Sequence, residues 1–281
     1  MPQWQLSLAN ADVQGQWRGQ WQQDPTGDGP GWLDLQGTIA QADAAAAHRY
    51  LPVQLPESVR HYVQDALVKG RYVGVKTKLK GDLAKWPFES PSDGEFRVSG
   101  RLTGVQFDMV PAHFLPATGP RWPHLHSLQG QLSFDRTGVQ LSDASARFGE
   151  SKNAVLLKAA AVEIADMRHD PQLQLTADGT GEAAQFLAAV QQSPLDQMLS
   201  QALHNTTATG PVQLRLKLGL PLRHLKDSQV QGTVILAGND VRVTPATPWL
   251  EKVHGAVEFN QTGFKVSKAK AQLLGGAVIM D

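Results

Sequence analysis

The sequence predicts a mainly β protein with short helices, an elongated antiparallel sheet of repeated units. Three observations carry that expectation. Apolar residues recur at every second position, turn-forming dipeptides separate those runs, and one stretch of the chain returns later in recognisable form. With 281 residues, 41% hydrophobic and 19% charged, the chain can bury a sizeable core and is not globally disordered.

The alternation starts with Trp4, Leu6 and Leu8 against Gln3, Gln5 and Ser7. It continues in Leu33, Leu35 and Ile39, then in Val73, Val75, Thr77 and Leu79. Leu132 with Phe134, Val139 with Leu141, Leu173 with Leu175, and Val212, Leu214, Leu216 and Leu218 follow the same rule. Such strands present one apolar and one polar face. Turns are expected at Thr26-Gly27-Asp28-Gly29, Thr137-Gly138, Gly238-Asn239-Asp240 and Thr262-Gly263. Helices are expected in two places. The first holds an Ala-rich stretch from Ala42 to Tyr50 and then Pro56 to Lys69, with Val59, Tyr62, Val63, Ala66 and Leu67 on one face; the second holds Glu182 to Gln191 and Pro194 to Leu203. Pro111 to Pro123 is rich in Pro and Gly and reads as irregular.

Self-similarity is the strongest signal. Leu125–Ala146 aligns without gaps on Leu250–Ala271, with identities at Leu125/Leu250, Gly130/Gly255, Phe134/Phe259, Thr137/Thr262, Gly138/Gly263, Ser142/Ser267, Ala144/Ala269 and Ala146/Ala271. Upstream, each copy has a Pro-started helix ending in Ala-Leu, at Ala66-Leu67 and Ala202-Leu203, followed by a strand. Two units are therefore expected, 1–148 and 149–281, each with strands, two short helices (near 42–69 and 182–203) and more strands. The second is expected to be truncated. The final Ala277-Val278-Ile279-Met280-Asp281 has no cap, as in a segment cut from a longer chain.

Charge and motifs exclude more than they suggest. Lys plus Arg and Asp plus Glu both number 26, so the excess of cations that binds nucleic acid is missing. There is no cysteine, which removes disulfides and thiolate metal sites. No run approaches the roughly 20 apolar residues of a membrane helix, and Met1–Asn10 does not read as a signal peptide. Nucleophile-elbow, Walker A, HExxH and EF-hand patterns are absent. Asp24–Gly31 lacks the carboxylate spacing of a calcium loop and reads as a solvent turn. His124 and His126 share a strand face but lack a third ligand, and Asp166, His169 and Asp170 lie in a polar turn. No catalytic residue, metal or cofactor is therefore expected, and the chain is read as non-enzymatic.

That leaves the apolar strand faces. Leu132, Phe134, Leu141, Leu214, Leu216, Leu218, Val257, Phe259, Phe264 and Val266 either fill a closed core or line a groove for acyl chains.

The ordered set Arg49-Tyr50-Leu51-Pro52, Leu55-Pro56, Trp86-Pro87-Phe88, Trp122-Pro123-His124-Leu125, Ser193-Pro194-Leu195, Leu220-Pro221-Leu222 and Leu274-Gly275-Gly276-Ala277 resembles the AsmA-like envelope proteins, and most closely their YhdP type. The resemblance implies a periplasmic segment of an inner-membrane-anchored protein whose anchor lies outside this sequence. It also implies that the sheet is curled and groove-like, a hydrophobic groove that shields phospholipid acyl chains in transit between the inner and outer membranes, with maintenance of the outer-membrane barrier and contacts with envelope proteins at either membrane. A scaffold or partner-binding module with a closed core is the alternative, with the loop Pro111–Pro123 as a possible partner contact; a hydrolase is a third.

Overall fold

The computed structural model describes residues 3–53, 55–114, 120–149, 154–199 and 201–280. It is mainly β. The strands are β1 (Gln3–Ala9), β2 (Val13–Gln22), β3 (Trp32–Asp43), β4 (Leu67–Asp82), β5 (Gly94–Phe107), β6 (Leu125–Asp135), β7 (Gly138–Phe148) and β8 (Val155–Ile164). They continue with β9 (Gln172–Glu182), β10 (Thr207–Thr209), β11 (Pro211–Pro221), β12 (Gln229–Arg242), β13 (Leu250–Asn260), β14 (Gly263–Leu273) and β15 (Gly276–Met280). The helices are α1 (Glu57–Ala66), α2 (Ala183–Gln191) and α3 (Leu195–Met198). All fifteen strands belong to one open antiparallel sheet in chain order, except that short β10 pairs beside β12.

By packing, the chain forms two compact units. One holds Met1–Gln106, Ser127–Ala144 and Ala161–Leu173; the other holds Phe107–His126, Ser145–Ala160 and Gln174–Asp281.

The helical segments are insertions between strands, and both are closed the same way. Ala44 N–H donates to Gly70 O at 3.0 Å, bracketing α1, and Ala183 N–H donates to Gly210 O at 2.9 Å, bracketing α2 and α3. Gly70 and Gly210 both have positive φ, a conformation glycine adopts without steric cost. The expected helix over 42–50 is reduced to a 3-10 turn at Ala47–Tyr50, because β3 stays paired with β2 and β4 through Ala42. Likewise α1 stops at Ala66, and Leu67 opens β4; Tyr62 and Val63 are half-buried, whereas Val59 is exposed. Pro194–Leu203 yields only the four residues of α3, followed by turns.

The repeat is visible in backbone detail. Ser127 and Asp143 in the first hairpin have positive φ, and so do their counterparts Lys252 and Lys268 in the second. In the second hairpin the β13–β14 register shifts between Glu251 and His254 and again between His254 and Ala256. A Cβ on Gly130 would lie 2.9 Å from Ala144, and one on Gly255 would lie 2.8 Å from Ala269. Both alanines are buried, as are Ala146 and Ala271. The identities therefore mark a close approach of two strands where no larger side chain fits.

Gly238-Asn239-Asp240 is not a turn. It lies inside β12, where the register with β13 shifts on either side of Asn239. The bulge turns Asn239 fully inward. Its Nδ2 donates to Thr209 O at 2.8 Å and Pro211 O at 3.0 Å, and its Oδ1 accepts from Ala237 N at 2.8 Å. One buried amide thus ties β10, β11 and β12 together. Asn239→Ala strands these buried partners and should lower unfolding free energy by about 3 kcal/mol. Asn239→Asp, which cannot donate to the two carbonyls, should be no better. Urea unfolding followed by circular dichroism measures both.

Candidate functional site

Strand register assembles the sequence-predicted apolar residues of the second unit into rows. Leu214 pairs with Val234, Val234 with Val257, and Val257 with Val266. One step along, Leu216 pairs with Gly232, Gly232 with Phe259, and Phe259 with Phe264. Leu218 pairs with Val230 beyond them. Because side chains alternate, these residues share one face of the sheet. The other face carries Arg215, Thr233, Glu258 and Lys265 in register.

One end of this face is buried. Val212 pairs with Leu236 there, and Ala183, Ala208 and Val212 form a buried cluster with Phe186, Leu187, Val234, Leu236 and Val241. Helix α2 supplies Ala183, Phe186 and Leu187 because its capped start at Glu182 and Gln185 leads directly out of β9. Exposure rises away from this cluster. Val212 is 5% exposed, Leu214, Leu216, Val257, Phe259 and Val266 are half-buried, and Phe264 is 67% exposed. A cavity of about 830 Å³ is lined by Leu216, Gly232, Phe259 and Phe264 together with the polar residues Asp178, Arg215, Thr233, Glu258 and Lys265.

The Phe259 ring lies on Gly232; a Cβ there would come within 2.2 Å of the ring. Glycine opposite an aromatic leaves space for the ring to lie against the sheet and shield its hydrogen bonds. The remaining predicted residues, Leu132, Phe134 and Leu141, are half-buried in the first unit. The register thus brings together seven of the ten, and none of the ten is fully buried.

The first unit carries a similar apolar face that the list of ten residues missed. Leu6 pairs with Trp17, Trp17 with Gly37, and Gly37 with Thr77; Trp4 pairs with Gly19, Gly19 with Leu35, and Leu35 with Leu79. The Trp17 ring lies over Gly37 and Gly15, that of Trp4 over Gly19, and Trp17 Nε1 donates to Thr77 Oγ1 at 3.0 Å. Leu6 and Trp21 are exposed. The signal was in the sequence, but Gly15 and Gly19 occupy apolar-face positions of β2 and interrupt its hydrophobic alternation. On the opposite face Lys78 and Lys80 contact Asp34 at 2.6 and 3.6 Å, and Lys78 holds the Asp34 carboxyl below its ordinary range.

The polar motifs have local explanations. Asp24 Oδ1 accepts from the Thr26 amide and hydroxyl, closing a surface turn. His124 Nδ1 is hydrogen-bonded to Asp108, and the His124 and His126 rings stand 6.0 Å apart. His169 Nδ1 bonds Asp166 at 2.6 Å, while Arg168 pairs with Glu89 at 2.9 Å, all partly exposed. The Arg168 amide and then His169 lower the Asp166 carboxyl below its ordinary range. Among the described residues no group of three or more His, Cys, Asp or Glu side chains is placed to hold a metal. No helix among them is long and apolar enough to cross a membrane.

The YhdP protein family matches residues 3–281. The chain belongs to the YhdP family. No curated protein and no solved structure matches it. The family match takes in both hairpins of the repeat and both apolar faces.

If the Phe259 ring occupies the space over Gly232, the two positions are energetically coupled. Gly232→Ala should cost about 1–3 kcal/mol, the usual range for overpacking. In a Phe259→Ala background the same change should cost less than about 0.5 kcal/mol, since alanine is at least as compatible with a strand as glycine. A double-mutant cycle by urea unfolding gives the coupling.

Proposed function

We propose that this chain is a non-enzymatic, periplasmic segment of an inner-membrane-anchored protein. Its apolar sheet faces shield phospholipid acyl chains in transit between the inner and outer membranes and so maintain the outer-membrane barrier. The observation that carries this reading is the exposure gradient in the second unit. Apolar rows leave a buried cluster beside α2, stay half-buried through Leu214, Leu216, Val257, Phe259 and Val266, and reach Phe264, 67% exposed. Membership of the YhdP family supports the same reading.

The energetics are adequate without chemistry. An acyl chain on these rows loses contact with water at about 0.8 kcal/mol per CH₂ buried. Side chains such as Leu214, Val257 and Val266 offer no directional bond, so a chain can slide from row to row without breaking one. The partners are therefore acyl chains, together with envelope proteins at the two membranes. No residue is assigned a catalytic or cofactor-binding role.

The test is lipid capture. A photo-crosslinking phenylalanine analogue at Phe264 should label phospholipid in cells, while the same analogue at Ser267, which pairs with Ala256 on the opposite face, should not. Native mass spectrometry should find phospholipid on the purified chain. In a Phe259→Asp/Phe264→Asp variant the lipid should fall at least fivefold, with little change in the urea midpoint. A lipid-free wild-type protein that never labels at Phe264 would instead indicate a scaffold with its own closed core.

A further inference from the structure

In the first unit the helical insertion enters at one end of β4, and the other end of β4 leads into a connection, 83–93, that folds back over the sheet. Phe88 anchors it. Its ring is fully buried, and a Cβ on Gly81 or Gly94 would lie 2.9 or 2.8 Å from it. Gly81 pairs with Leu33, which shares a face with Leu35, so the ring rests on the apolar side of the sheet. Trp86 meets Phe96 edge to face, with ring centres 5.7 Å apart. Phe88 has φ 65°, a conformation unfavourable for a bulky residue, so burial of the ring holds the loop in this shape. Phe88 N–H donates to Lys85 O at 2.8 Å, Asp93 N–H donates to Ser90 O at 3.0 Å, and Lys85 pairs with Asp93 at 3.3 Å.

The next residue reaches much further. Glu89 Oε1 lies 2.9 Å from Arg168 Nη1 and 3.6 Å from His169 Nε2, and Asp166 holds His169 Nδ1 at 2.6 Å. Arg168 and His169 belong to the connection between β8 and β9, so a loop rooted on β4 and β5 is fastened beyond β6 and β7. Strands β5 and β8 are three spacings apart in the sheet, about 14 Å. The β6–β7 turn between them is bonded to both sides: Arg136 N–H donates to Phe96 O at 2.8 Å, and Met167 N–H donates to Thr137 O at 2.9 Å. Root and tip differ in strength. The side chains of Glu89, Arg168 and His169 are each at least half exposed, and ion pairs in water contribute little. A buried aromatic root with a wet ionic tip makes a latch, whose tip can release while the root stays.

The second unit shows that the fold does not require this device. There the strand after the helical insertion, β11, leads into a shorter connection, 222–228, without Phe, Tyr or Trp. Its hairpin carries Phe264, 67% exposed, where the first copy has a half-buried Val139. The apolar row thus ends in the open in one unit and at a strapped rim in the other. Phe134, the counterpart of Phe259, is the last apolar residue of β6 before that rim. We propose that 83–93 is a latched strap that controls the access of acyl chains to the apolar face of the first unit, with Glu89, Arg168 and His169 as the latch. The inference rests on the lipid-shielding function proposed above and supplies its regulation.

The chain has no cysteine, so two introduced thiols can be joined specifically. A photo-crosslinking phenylalanine analogue at Phe134 reports lipid from vesicles of phosphatidylethanolamine and phosphatidylglycerol. In the Glu89→Cys/His169→Cys chain the native latch is gone, and labelling should rise about threefold, the scale on which exposed ion pairs shift an equilibrium. Joining the two thiols with a short bismaleimide should lower it to the native level or below. Glu89→Ala should raise labelling as the open thiol pair does, with the urea midpoint of the wild type. The same analogue at Phe264, in the second unit, should label equally in every one of these states. Equal labelling at Phe134 in the open and joined forms, while Phe264 still labels, would overturn the latch and leave the lipid-shielding function standing. A lower urea midpoint in Glu89→Ala with unchanged labelling would reduce the strap to a structural clasp and overturn it too. No labelling at either position would overturn the lipid-shielding function and this inference with it.

Discussion

An open antiparallel sheet with one apolar face must be covered, and the helices available here are too short to do it. Helix α2 has 9 residues, about 14 Å at the usual rise. Strand β11 has 11 residues, about 36 Å. A single helix can therefore seal one end of a row and no more. The structure follows this arithmetic: Val212 is buried beside α2, and Leu214, Leu216 and Leu218 further along β11 are only half-buried. The proposed function depends on that shortfall. A fold with longer insertions would bury the same residues and have no surface to offer an acyl chain.

A sheet without a full second layer needs another way to protect its backbone hydrogen bonds, and the aromatic–glycine pairs supply one. Trp4 lies over Gly19, Trp17 over Gly37 and Phe259 over Gly232, each between directly paired residues of neighbouring strands. A ring laid against a glycine excludes water from the ladder and adds apolar surface. The face stays continuous, because the ring adds no opposing layer. Stability and openness, which usually compete in a half-covered sheet, are thus met by the same side chains.

Most of the strands were legible in the sequence, because period-two alternation records which face is apolar. The helices were less so. Ala42 belongs to β3 since its pairing with Val13 and Tyr72 outweighs the helix preference of the alanines beside it. Gly238-Asn239-Asp240 has turn composition, yet a bulge uses the same residues to bury an amide in the middle of a strand. Local composition cannot separate a turn from a bulge, because both ask for residues tolerant of unusual φ. The tryptophan face escaped for a similar reason. Glycine carries no hydrophobic signal, and only the register shows that Gly15, Gly19 and Gly37 lie beneath indole rings.

The duplicated hairpin separates what folding needs from what it leaves free. Gly130 and Gly255 are identical because Ala144 and Ala269 approach too closely for a Cβ, which is a packing requirement. Phe134 and Phe259 are also identical and both half-buried, and the packing of the Phe259 ring on Gly232 is itself a structural reason to keep an aromatic there. Val139 and Phe264 differ, and the larger side chain in the second copy is the exposed one. Enlarging an exposed apolar residue gives little to the folded state and leaves more surface to be wetted. Under the proposed function, that extra aromatic surface in the second copy is where an acyl chain would rest, beside the Phe259 ring with which Phe264 pairs.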